Sequence, residues 1–163
     1  RVTALPEVDE SYPDTLSGEE IPLYISQEKA AAYRRFMKDN TLLITADTIV
    51  WLDGKVYGKP RDIADAKAML QALSGKTHTV ITGVTLTSLQ KQISFAVSTE
   101  VTFAALGDDE IDYYVETYRP LDKAGAYGVQ EWIGYIGVTG LKGSYYNVMG
   151  LPIQRLYTEL KKF

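Results

Sequence analysis

Apolar residues run almost without interruption from Leu42 to Leu52, as in a strand covered on both faces. One carboxylate, Asp47, breaks the run. Asp53-Gly54 predicts a hairpin turn, Lys55 to Tyr57 the returning strand, and Gly58-Lys59-Pro60 a break after it. From Asp62 the period changes. Ile63, Ala66, Met69, Leu70 and Leu73 share one helical face, and Gly75 stops that helix. Two longer strands follow, at about 78–88 and 92–105, joined by a polar turn near Leu89-Gln90-Lys91. Asp108 caps a predicted helix reaching about Thr117.

The flanks follow the same rules. Residues 2–8 predict a short strand leading into an acidic loop from Glu7 to Glu20. A helix capped by Ser26 is expected to about Lys38, followed by a turn at Asp39-Asn40. Pro120 opens a loop. Ile133 to Val138 is β-like, Gly140 to Gly143 a turn, and Tyr145 to Met149 a short strand. Pro152 starts a last helix ending near Lys162. No repeat, low-complexity tract or linker interrupts this order, so residues 1–163 are expected to form a single domain. Its class is α/β, with a hairpin-rich mixed, twisted sheet and flanking helices.

Composition narrows the chemistry. A net charge of −4 argues against a broad electrostatic footprint for duplex nucleic acid. No apolar run approaches the ~18 residues of a membrane span. With no cysteine and one histidine, disulfides, thiolate nucleophiles and multi-histidine metal sites are excluded. A metal would need oxygen ligands, which points to Mg²⁺ or Mn²⁺. The chain opens on Arg1 without an initiating Met, and the expectation is that a segment precedes it.

The run Asp122-Lys123-Ala124-Gly125-Ala126-Tyr127-Gly128-Val129-Gln130 suits neither a regular helix nor a strand. It reads as a tight loop that approaches a ligand closely. Asp47, beside Thr48 on an interior strand, either binds a metal or activates water, or is a buried acid satisfied by amides and a lysine. Lys59, in a rigid turn, is either aimed at a phosphate or solvated. Lys29, early in its expected helix, opposes the helix dipole, which hints at an anionic partner. Glu10 alone reads as one acid of an acidic loop, and His78 as a hydrogen-bonded structural residue. Arg34-Arg35 reads as a solvated helix face, and most of the twelve tyrosines as core or rim. Ser74-Gly75-Lys76-Thr77 lacks the upstream glycine of a P-loop, and no nucleophile elbow occurs.

Together these segments resemble the Maf family of nucleoside triphosphate pyrophosphatases. The matching pieces are Ala46-Asp47-Thr48, Gly58-Lys59-Pro60, Leu73 to Val80 with Thr82-Gly83, Asp122 to Gln130, Gly143-Ser144-Tyr145 and Asn147 to Pro152, in family order across essentially the whole chain. The resemblance implies metal-dependent hydrolysis of a nucleoside triphosphate to a monophosphate and pyrophosphate. It also implies a cleft between two lobes, a cytoplasmic location and a possible homodimer. By resemblance, Asp47 is the proton acceptor for the attacking water and Glu10 helps it bind metal. Lys29 and Lys59 hold the triphosphate. Thr48 and Gln130 set base preference, with Lys123 of the same loop grouped among the substrate-binding positions. The loop resembles the branch hydrolysing dTTP and UTP rather than the one acting on 7-methyl-GTP. Hydrolysis within a triphosphate needs charge neutralisation and an in-line water more than covalent catalysis, which agrees with this residue set. The family's Ser-x-Arg-Arg segment has no counterpart here, and Arg34-Arg35 does not replace it. Rival readings are a house-cleaning enzyme for modified nucleotides and a nucleotide-binding regulator of cell division.

Overall fold

In a computed structural model, residues 5–163 are described. Five strands form one sheet in the order β2-β1-β3-β4-β5: β1 Leu43–Leu52, β2 Lys55–Tyr57, β3 Thr77–Thr87, β4 Gln92–Phe103 and β5 Val138–Lys142. Six α-helices flank it: α1 Glu20–Tyr33, α2 Ile63–Leu73, α3 Asp108–Tyr118, α4 Trp132–Gly137, α5 Tyr145–Met149 and α6 Ile153–Lys162. The α/β class with flanking helices stands. All four pairings among the described residues are antiparallel, whereas a mixed sheet was expected. Two of these pairings are hairpins, β1 with β2 and β3 with β4 through the turn after Thr87, whereas β1–β3 and β4–β5 are joined by longer connections that carry helices.

The β1–β2 hairpin turns at Asp53 (φ 51°) and Gly54 (φ 76°), as the Asp-Gly pair predicts. β2 is short, and its pairing ends at Val50↔Tyr57. The edge of β1 from Ile49 back to Leu43 therefore has no strand neighbour among the described residues.

Both faces of the sheet are covered, and register decides what each receives. Ile49 and Ile81 pair and meet Ile21 and Ile25 of α1 on one face. Val50 and Val80 pair on the other, packed with Leu70 and Leu73 of α2 and Ile111 and Tyr114 of α3. Further along that second face, Val84, Leu86 and Phe95 meet Leu156 of α6. Between these two apolar clusters lies the pair Thr48↔Thr82, a polar gap in the same face.

The predicted apolar helix face at 63–73 is borne out, with Asp62 as N-cap accepting from the Asp65 amide at 2.7 Å. Gly75 (φ 69°) follows the C-cap Ser74. Other boundaries moved. α1 starts at Glu20, with Glu19 as N-cap and no side-chain capping hydrogen bond; Glu20 in its first turn suits the helix dipole. Ser26 lies inside α1, fully buried, its hydroxyl 2.8 Å from Thr85 Oγ1. Helix α3 has Gly107 as N-cap, with Asp108 in its first turn and the Glu110 carboxylate accepting from the Gly107 amide at 2.8 Å.

The stretches expected as strands at 133–138 and 145–149 are helices, and the expected turn at 140–143 is mostly strand β5. In α4, an added Cβ on Gly134 would stand 1.8 Å from the Val129 carbonyl oxygen, so only glycine fits against that backbone. In α5, Ser144 caps by accepting from the Asn147 amide, and the Asn147 side-chain amide donates to the Val80 and Val97 carbonyls of the sheet. These tertiary contacts override the β propensity of the aromatic and β-branched residues. Of the strand expected at 2–8, residues 2–4 lie outside the described residues, and 5–8 are irregular.

His78 is buried in the main core, Nε2 at 2.6 Å from Tyr127 Oη, within a triangle of edge-on contacts among His78, Phe103 and Tyr127. Burial pushes its pKa down to about 4, so it is neutral at pH 7 and structural, as expected.

Helix α1 approaches the sheet closely at Gly83. A Cβ there would stand 2.4 Å from the Pro22 carbonyl carbon and 2.6 Å from the Leu23 amide nitrogen, both backbone atoms of α1. Gly83→Ala is expected to destabilise by about 3 kcal/mol, the upper end of overpacking costs, because no side chain can rotate away. Thermal melts of the two proteins check this; an unchanged Tm contradicts the close packing.

Candidate active site

Asp47 is the register partner of Gly83, on the face where α1 lies closest. Because α1 sits so low there, the Lys29 side chain reaches β1. Its ammonium donates to the Ala46 carbonyl at 2.9 Å and lies 3.5 Å from Asp47 Oδ1 and 3.2 Å from Glu10 Oε1. Glu10 Oε2 lies 3.8 Å from the Lys59 ammonium. Two carboxylates and two ammoniums thus form one chain, Asp47–Lys29–Glu10–Lys59. Lys29 stands in the third turn of α1 rather than the first, so the helix dipole gives no reason for its charge. The reason is this network.

The Asp47 side chain is only 10% exposed. Burial raises its pKa to about 6, opposed by the positive charge of Lys29 and reinforced by the negative charge of Glu10. Its Oδ2 is buried and has no hydrogen-bond partner. A buried carboxylate oxygen without a partner is costly, and the Asp47 side chain that carries it lies beside open space.

That space is a cavity of about 460 Å³, lined by Glu10, Lys29, Asp47, Thr48, Lys59, Lys123 and Gln130 among others. The unpaired edge of β1 is why Asp47 and Thr48, which point to opposite faces of the sheet, both border it. All seven residues singled out as catalytic or substrate-binding come together in this one place. Thr48 Oγ1 is 2.8 Å from Thr82 Oγ1 and donates to the Gly150 carbonyl at 3.3 Å. Val148 and Met149 of the Asn147–Pro152 segment also line the cavity, as does Tyr12, which no sequence signal marked. Arg34 and Arg35 do not line it; Arg34 donates to the Leu89 carbonyl at 3.1 Å.

The Asp122–Gln130 loop forms one wall, wound as tightly as its composition implies. Gly125 (φ 69°) and Ala126 (φ 61°) both take left-handed backbone, and a Cβ on Gly125 would strike Val50 of β1 at 2.7 Å. The Gly125 amide donates to the Gly58 carbonyl at 3.1 Å, tying this loop to the turn that carries Lys59. Tyr114 Oη accepts from the Gly128 amide at 3.1 Å and donates to Glu131 at 3.0 Å. The Lys123 ammonium lies 3.3 Å from Asp122 and 3.7 Å from Glu131. Lys123 and Gln130 are therefore held on a braced scaffold.

Chemically, the cavity offers a carboxylate poised near neutrality, a second acid, and three ammoniums to meet a polyphosphate. No group of three or more His, Cys, Asp or Glu side chains gathers to hold a metal among the described residues. Two hard carboxylates, one with an orphaned buried oxygen, do fit a divalent cation that takes its remaining ligands from water and phosphate.

Comparison with known proteins agrees with this geometry. A family model described as "Maf-like protein" matches residues 2–163. The "dTTP/UTP pyrophosphatase" of Phocaeicola vulgatus is 67% identical over 161 residues, covering 99% of this chain and 83% of that protein. The proteins of the same name from Bacteroides fragilis and Bacteroides thetaiotaomicron are each 63% identical over the same coverage. The order of the sequence segments, the cavity they build and these matches agree, and the chain belongs to the Maf-like family.

Proposed function

We infer that this protein, folded as a single domain, is a nucleoside triphosphate pyrophosphatase that hydrolyses dTTP and UTP to the monophosphate and pyrophosphate. The observation that carries the reading is Asp47: a buried carboxyl with a pKa of about 6, a free oxygen, and two lysines and an acid around it. The names of its relatives support the substrate.

In this reading the triphosphate lies along Lys29, Lys59 and Lys123, which neutralise its charge. Asp47 Oδ2 accepts a proton from the attacking water, whose oxygen bonds to phosphorus as the α–β anhydride bond breaks and pyrophosphate leaves. A pKa near 6 leaves Asp47 ionised at pH 7 yet basic enough to take that proton. Lys29 holds Asp47 Oδ1, which leaves Oδ2 to the water. Thr48, Gln130 and the Asp122–Gln130 loop face the nucleoside. A divalent cation, Mg²⁺ or Mn²⁺, would be held by Asp47 and Glu10. When bound, it supplies charge neutralisation on the phosphate oxygens. No helix among the described residues is long and apolar enough to cross a membrane.

The experiment is turnover of dTTP, UTP, CTP, GTP and 7-methyl-GTP with Mn²⁺, with pyrophosphate and orthophosphate assayed separately. Pyrophosphate from dTTP and UTP is expected. Asp47→Asn is expected to lower kcat by about 10³-fold or more with nucleotide binding retained. Equal turnover by the variant would remove Asp47 from the reaction.

The raised pKa also has a sign in stability. Native Asp47 holds its proton up to about pH 6, whereas the unfolded chain releases it near 3.8. Its contribution is therefore full below pH 3.8 and is lost as pH rises through 6. In metal-free buffer, the Tm of Asp47→Asn relative to the parent is expected to climb between pH 4 and pH 7, by the equivalent of at most about 3 kcal/mol. Adding Mn²⁺ should raise the Tm of the parent alone. A Tm difference that stays flat with pH contradicts the burial penalty on this carboxylate.

A further inference from the structure

Glu131 does not line the cavity, but Lys123 and Gly128 beside it do. An added Cβ on Gly128 would stand 2.4 Å from Glu131 Oε1 and 2.9 Å from Lys123 Cε. The carboxylate and the lysine stem therefore converge over Gly128, with Lys123 Nζ 3.7 Å from Glu131 Oε1. Tyr114 fixes that carboxylate. Its buried hydroxyl accepts from the Gly128 amide at 3.1 Å and donates to Glu131 Oε1 at 3.0 Å. Burial pushes the Tyr114 pKa up, so the hydroxyl keeps the proton it donates.

A second acid competes for the same ammonium. Asp122 lies 3.3 Å from Lys123 Nζ, closer than Glu131, but its side chain is 76% exposed and has no other hydrogen-bond partner among the described residues. Such an exposed pair between chain neighbours constrains little. Glu131, mostly buried and bonded to Tyr114, cannot follow the lysine outward. A negative charge beside a cavity with three ammoniums opposes an anionic ligand unless it has another task there.

We propose that Glu131 is a positioning residue: anchored by Tyr114, it holds the Lys123 ammonium at the cavity wall for the phosphates, rather than leaving it to follow Asp122 into solvent. Lys123 then meets a polyphosphate already placed, and less side-chain entropy is lost on binding. The inference rests on the nucleotide reading above and deepens it, naming a group that sets polyphosphate affinity from outside the cavity. Glu131 touches no substrate and acts through Lys123.

The test measures KM and kcat for UTP with Mn²⁺ in the parent, Glu131→Gln, Lys123→Met and the double variant Glu131→Gln/Lys123→Met. The glutamine keeps an oxygen for the Tyr114 hydroxyl and loses only the charge. Charge alone and positioning predict opposite signs. Were Glu131 only a nearby negative charge, its removal would ease anion binding and lower KM. Because it holds Lys123, its removal is expected to raise KM about fivefold, with kcat within about twofold. In the Lys123→Met background that rise should vanish. A lowered or unchanged KM, or a rise of the same size in that background, overturns the proposal. A second measurement needs neither turnover nor a base: inorganic triphosphate, titrated into the four proteins in metal-free buffer, should bind Glu131→Gln about fivefold more weakly than the parent. Equal affinity also overturns the proposal. A parent protein that releases pyrophosphate from no nucleotide brings down the nucleotide reading itself. A parent active on UTP alongside an unaltered Glu131→Gln brings down this inference alone.

Discussion

The close approach of α1 to the sheet at Gly83 is the constraint on which the site depends. With hydrogen in place of a methyl group, the backbone at Pro22 and Leu23 can rest on β3. Polar contacts then fix the helix laterally: Thr45 Oγ1 donates to the Ser26 carbonyl at 2.7 Å, and the Ser26, Thr85 and Ser94 hydroxyls link onward. From that position one lysine spans helix to strand. Raising the helix by the thickness of a methyl group would part Lys29 from Ala46 and Asp47, leaving a buried carboxylate with no countercharge.

Two buried ionisable groups show what separates packing from chemistry. His78 and Asp47 are both shifted toward their neutral forms by burial. His78 spends its burial on packing: it faces Phe103 and Tyr127, and its ring bonds to the tyrosine hydroxyl. Asp47 lines the cavity, faces the positive charge of Lys29 and keeps one oxygen without a hydrogen-bond partner. The first group contributes a well-packed neutral ring. The second sacrifices stability at neutral pH to keep a carboxylate that can still exchange a proton.

The loop opposite gains its shape from a different source. Gly125 and Ala126 in left-handed backbone, Gly128 held by Tyr114, and Glu131 bridging Tyr114 and Lys123 make a rigid wall from a segment without regular structure. Rigidity here is useful because a polyphosphate is recognised by fixed charges rather than by a flexible sleeve. The same loop bonds to Gly58, which ties the turn with Lys59 to it.

Much of this was legible along the chain. The β1 run, the Asp-Gly hairpin, the amphipathic helix at 63–73 and the tight loop at 122–130 follow from local periodicity and turn chemistry, which act over a few residues. The odd carboxylate in an apolar run was visible for the same reason. The helices at 132–137 and 145–149 were not, because their residues favour strands; in the second, the Asn147 amide bonds to the Val80 and Val97 carbonyls of the sheet, contacts that no local pattern announces. Nor did the sequence connect Glu10 to Lys59, or Thr82 to Thr48. Those pairings depend on strand register and on how low one helix lies. The sequence by itself determined which groups the protein possesses and the local elements that carry them. Only the tertiary structure decided which stand within hydrogen-bonding distance and which are dry, because charge interaction and desolvation depend on distance and burial rather than on order along the chain.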